Sequence, residues 1–121
     1  MTLLSVERVE REPYDDVYWG PGPDGEAVET HRVPAPVEAF YELAVEADGR
    51  RRTFDAEIRT GRGGVPQLDV PDDSDGYPGD YLSERGLTDS GWDALCSAVF
   101  AVHSGDSVRF PLDLRSPPPG P

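Results

Sequence analysis

Residues 36–58 read PVEAFYELAVEADGRRRTFDAEI, and they admit two secondary structures. Val37, Phe40, Tyr41 and Ala44 fit a helix that starts after Pro36 and stops at Gly49. The same segment also obeys period two. Tyr41, Leu43, Val45 and Ala47 share one parity, and Phe40, Glu42, Ala44 and Glu46 share the other. Asp48-Gly49 then supplies the dipeptide preferred in two-residue hairpin turns, because both positions tolerate positive φ. Beyond it Phe54, Ala56 and Ile58 alternate with Thr53, Asp55, Glu57 and Arg59. Two alternating arms around a turn of the right chemistry predict a β-hairpin.

Upstream of the hairpin, Thr2–Glu12 reads as a strand. Leu4 and Val6 share a parity that Val9 does not, which calls for a bulge near Glu7-Arg8. Tyr14–Trp19 is a short aromatic run, Gly20–Gly25 is a turn or surface loop, and Glu26–Val33 is a β-branched strand closed by Pro34. Downstream, Thr60–Gly86 is rich in glycine, proline and acid, with Gln67–Val70 as a candidate edge strand. A stretch of roughly 25 residues with so little pattern is unusual inside a compact domain.

A helix is predicted over Ser90–Ser104. Ser90 and Asp93 form a capping box, and Gly105 provides the stop. Trp92, Leu95, Cys96, Val99, Phe100 and His103 follow helical spacing. The flank carrying Ala94, Ala98, Ala101 and Val102 is also apolar, more than a helix lying on one sheet needs. Val108, Phe110, Leu112 and Leu114 alternate as a last strand, and Pro111 assigns it to an edge. The expected fold is therefore α+β. It comprises a small antiparallel sheet of four to six short strands, one C-terminal helix packed on one face, and a final edge strand. Residues 1–115 form a single acidic domain, and the Pro-rich residues 116–121 are expected to be a disordered tail.

Charge narrows the classes of partner. Asp and Glu number 24 against 11 basic residues, a net charge of −13, and every basic residue is Arg. The chain has no Lys, no Asn and a single Ile, Ile58, which points to a GC-rich genome and not to phosphate recognition by Arg. Such a charge repels nucleic acid and anionic membranes. It suits either solubility in a salty cytoplasm or docking onto a basic protein. Between Asp69 and Asp93 lie eight acids and one base, Arg85; between Arg50 and Arg62 lie five Arg and two acids. No run approaches the ~18 apolar residues of a membrane helix. Met1–Val6 is too short for a secretory signal. The lone Cys96 excludes an internal disulfide, and a cytoplasmic location is expected.

Catalytic and cofactor signatures fail one by one. Gly20-Pro-Gly-Pro-Asp-Gly25 matches G-x-G-x-x-G, but Pro21 and Pro23 remove the N–H donors that a phosphate needs. Aligning Gly76 with the glycine of a calcium loop puts Pro71 and Leu82 at ligand positions, so no EF-hand forms. Cys96, on an apolar helix face, reads as inert packing, and His103 as a helix-end cap. No catalytic residue, cofactor or metal is assigned.

The function expected from sequence is a non-catalytic protein-interaction module, an accessory, inhibitor or immunity-type subunit. Its partner is another protein or a second copy of itself, with no nucleic acid and no membrane. The residues expected to carry the interaction are Asp72, Asp73, Asp75, Asp80, Tyr77 and Tyr81 of the acidic loop, with Ala94, Ala98, Ala101 and Val102 of the helix. The alternative is a small-molecule or divalent-cation site, or a minor enzyme, built from carboxylates and a histidine. A third reading is a nucleic-acid mimic.

Overall fold

A computed structural model describes residues 1–72 and 76–114. Asp73, Asp75 and the expected disordered tail, 116–121, lie outside the described residues. In chain order the elements are β1 (Thr2–Val9), β2 (Asp15–Pro21), β3 (Ala27–Pro34), β4 (Val37–Ala47), β5 (Arg50–Thr60) and β6 (Pro66–Asp69). Helices α1 (Pro78–Glu84) and α2 (Asp89–His103) follow, then β7 (Leu112–Asp113). All strand pairs are antiparallel. A five-stranded sheet runs in the order β6-β5-β4-β1-β7, and β2 with β3 makes a separate two-stranded ribbon.

The α+β class and the antiparallel sheet match the sequence reading. The hairpin does too: Ala47 pairs with Arg50, and Asp48 and Gly49 take φ of 53° and 72°. Its inward parity is the expected one. Tyr41 faces Ala56 and Leu43 faces Phe54 across the ladder, and all four are buried with Ile58 in the core. Helix α2 covers this face through Leu95, Ala98 and Val99, with Leu82 of α1 and Leu114 completing the cluster. Burying each such aliphatic side chain contributes about 1.5–3 kcal/mol.

Several expectations need correction. Among the described residues there are two α-helices, since α1 lies in the segment read as loop. The main sheet has five strands, within the four to six expected, while β2 and β3 make a second, two-stranded sheet that was not expected. The bulge of β1 falls between Leu3 and Ser5, not at Glu7-Arg8, because Leu3 and Val6 are the side chains that must both reach the core. β1 also stops at Val9. The last strand shrinks to Leu112–Asp113, paired with β1 at the sheet edge.

The start of α2 differs as well. Thr88 is the N-cap, its side chain accepting from the Gly91 N–H at 3.1 Å, so Ser90 and Asp93 form no capping box. Gly91 explains the choice. A Cβ there would lie 2.3 Å from the Leu114 carbonyl oxygen, so glycine must occupy the first turn, where the C-terminal segment crosses the helix. At the other end, Gly105 takes φ of 85° and stops the helix as expected. No helix among the described residues is long and apolar enough to cross a membrane.

Candidate interaction surface

The face of the sheet opposite the helices is left largely to water: Glu46, Thr53 and Asp55 are exposed and Glu42 is half-buried. Register then places acids side by side. Glu7 of β1 lies directly opposite Glu42 of β4, and Glu42 lies directly opposite Asp55 of β5. Three carboxylates thus form one rung across three adjacent strands. Like charges at directly opposed positions destabilise a sheet. The relief comes from Arg11, whose guanidinium lies 3.7 Å from Glu42 and 3.4 Å from Asp55. These pairs are solvent-exposed and weak.

Beside the rung a cleft of about 120 Å³ is lined by Val9, Phe40, Ala56 and Pro71, together with Arg11, Asp55 and Glu57. An adjoining depression of about 360 Å³ is bordered by Arg11, Glu42, Asp55 and Asp72. Glu57 is the buried acid of this region, 6% exposed. The Tyr14 hydroxyl reaches its two carboxylate oxygens at 2.8 and 2.5 Å, and Arg59 donates to the Tyr14 oxygen at 3.2 Å. The same Arg59 is ion-paired with Asp16. Burial, and next the hydrogen bond to Glu57, push the Tyr14 hydroxyl up to about 12 from 10.0. A phenol so firmly protonated is a poor general base at neutral pH.

This network holds the base of the β2–β3 ribbon. Above it the ribbon stands in solvent: all eight residues of β3 are exposed, Trp19 is 65% exposed and Tyr18 47%. Tyr18 stacks on His31 with ring centroids 4.5 Å apart. Gly20–Gly25, the stretch that resembled a phosphate loop, forms the ribbon tip. There Gly22 N–H donates to the Glu26 carbonyl at 2.6 Å.

The sequence-derived candidates are scattered. Asp72 borders the depression on the open sheet face. Tyr77 and Asp80 border a different hollow, with Asp89 and Trp92, where α1 meets α2. Tyr81 belongs to the core edge. Its ring lies 5.9 Å from that of Phe54, with the Arg52 and Arg85 guanidiniums 4.2 and 3.6 Å from its centroid. On α2, Ala98 is 5% exposed. Ala94, Ala101 and Val102 are half-buried, and Ala94 and Val102 pack against the chain's own core. The wet strip of the helix is Asp89, Ser90, Asp93 and Ser97, with Ser104 just beyond its end. The apolar flank that the sequence suggested is therefore covered in good part by the same polypeptide.

The remaining reactive groups have structural partners. His103 Nδ1 is hydrogen-bonded to the Tyr41 hydroxyl at 2.8 Å, and its Nε2 lies 3.7 Å from Glu38. It ties the end of α2 to β4. Tyr41, 1% exposed, cannot present its hydroxyl to a substrate. Burial pushes the Cys96 thiol up, Asp93 adds to the effect, and the sulfur is a weak nucleophile there. Among the described residues no group of His, Cys, Asp and Glu is arranged to hold a metal. The carboxylate rung is the feature that sequence reading passed over; Trp19, read as part of a short aromatic run, stands exposed on the ribbon. Comparison with known protein families, curated proteins and solved structures returned no match.

Proposed function

We propose that this protein is a non-catalytic interaction module, an accessory, inhibitor or immunity-type subunit, that docks onto a basic surface of another protein. The observation that carries the reading is the Glu7–Glu42–Asp55 rung on the open sheet face. Three like charges on one rung work against the stability of the sheet, and a cationic partner converts that repulsion into attraction. Arg11 lies over the rung as a stand-in for such a cation. The chain's net charge of −13 steers encounter in the same direction.

The test uses the intact chain as bait in native lysate, beside the variant Glu7→Gln/Glu42→Gln/Asp55→Asn. Wild type is expected to retain one basic protein stoichiometrically, and the neutralised variant to lose it. Retention by both baits, or by neither, refutes the reading.

One observation favours a second reading, a small-ligand site: the cleft beside Glu57 is lined by both apolar and charged groups. Glu57 and Tyr14 are committed to each other there, and Asp55, which also lines the cleft, lies 3.4 Å from Arg11. A thermal-shift screen of small amines and carboxylates separates the readings. Stabilisation abolished by Phe40→Ala supports the ligand site.

A further inference from the structure

We propose that the β2–β3 ribbon is the anchor of the interface, and that Trp19, on β2 just before its tip, inserts into a cationic cleft of the partner protein; this rests on the protein-binding reading above. Four of the seven large hydrophobic side chains exposed among the described residues, Tyr18, Trp19, Val28 and Val33, lie on this one ribbon. An isolated two-stranded ribbon is marginal in water, and this one buries little of itself. It is nevertheless pinned at its base by the Arg59–Asp16 ion pair, by Tyr14 on buried Glu57, and by Ala35 N–H donating to the Tyr14 carbonyl.

The tip is stiff. Trp19 is followed at once by Gly20-Pro21, and Pro23 restrains the turn closed by Gly22 and Gly25. A Cβ on Gly20 would meet the Thr30 methyl at 2.8 Å, so the Thr30 side chain fills the space beside this glycine. A rigid aromatic residue loses little freedom on binding, and Trp is enriched among the residues that dominate interface energetics.

Charge selects the occupant. Residues 15–34 hold Asp15, Asp16, Asp24, Glu26 and Glu29 against Arg32 alone. A second copy would bring the same acidic ribbon and the same net charge of −13, whereas a basic cleft complements both. Its Arg and Lys side chains can also lie over the indole face. Recognition by the ribbon's backbone edge is disfavoured. The register shifts between Tyr18 and Trp19, and bulges and prolines of this kind blunt strand addition.

The test replaces Trp19 with the photo-crosslinking residue p-benzoylphenylalanine in the intact chain, irradiates native lysate, and sequences the attached peptide. Trp19→Ala and wild-type baits are run in parallel, with far-UV circular dichroism to confirm that both are folded. The expected result is a crosslink to a net-positive segment of another protein, whose recovery falls at least about tenfold on Trp19→Ala. A crosslink to a second copy of this chain or to an acidic segment overturns the inference, as does equal recovery by both baits. Equal recovery on Trp19→Ala with loss on the rung variant sinks the anchor role alone. Recovery by no bait sinks the protein-binding reading with it.

Discussion

Replacing Tyr14 by Phe removes a single oxygen and keeps the ring. That oxygen contacts both carboxylate oxygens of Glu57, at 2.8 and 2.5 Å. Glu57 is 6% exposed, so water has little access to replace the lost donor. A hydrogen bond to a charged group contributes about 1.5–3 kcal/mol. Tyr14 itself is partly exposed, which screens the contact, so the expected loss is about 1–2 kcal/mol. For a domain of this length each kcal/mol lowers Tm by about 4 °C. The pH dependence adds a second signature. Tyr14 titrates near 12 in the folded protein against 10.0 ordinarily. A pKa raised by folding means that the neutral phenol is favoured in the native state. Its stabilisation is complete below pH 10 and fades as pH rises toward 12. Urea unfolding at neutral pH and through the alkaline range measures both. Wild type should exceed Tyr14→Phe at neutral pH, and the two should converge as the phenol ionises. Equal stability at neutral pH, or a gap that stays constant through the alkaline range, would refute the reasoning.

Gly91→Ala should lower stability by at least about 1–3 kcal/mol, because its Cβ would meet the Leu114 carbonyl oxygen at 2.3 Å. Thermal unfolding checks it, and an unchanged Tm would show that the helix start does not need glycine. His103→Ala strands the buried Tyr41 hydroxyl and should cost about 1–3 kcal/mol. In a Tyr41→Phe background it should cost measurably less, and additivity in that double-mutant cycle would disprove the link. Glu42→Gln should raise stability by about 0.2–1 kcal/mol, because it removes the middle charge of the rung. A clear drop in urea midpoint would mean that the rung is not repulsive. Arg11→Ala should leave the fold intact and increase retention of the basic partner several-fold, and reduced retention would show that Arg11 does not compete for the rung.

The hairpin was legible because its two arms alternate around Asp48-Gly49, and that turn fixes register without reference to the rest of the chain. The pairing of Glu42 with Asp55 follows from the same register. Glu7 does not, since β1 joins from far along the sequence and its bulge shifts every pairing beyond Leu3. Helix α2 was legible from its spacing, but its start was not. Ser90-x-x-Asp93 is locally as good a cap as Thr88, and the choice is made by the packing of Gly91 on Leu114. α1 escaped notice because a seven-residue helix is too short to show a period, and it buries only Pro78 and Leu82. The apolar flank of α2 misled for a related reason. Composition shows that a side chain is apolar, but only tertiary packing shows that Ala98 is already covered. Trp19 lay in plain view, yet its exposure depends on β2 pairing with β3 alone and not with the main sheet.

The most direct test of the docking account is the salt dependence of partner affinity, measured by calorimetric titration of wild type and of Glu7→Gln/Glu42→Gln/Asp55→Asn. An acidic rung that meets a basic surface predicts tight binding by wild type that weakens steeply as salt rises, and weaker, flatter binding by the variant. Equal affinity with equal salt slopes in the two proteins would contradict it.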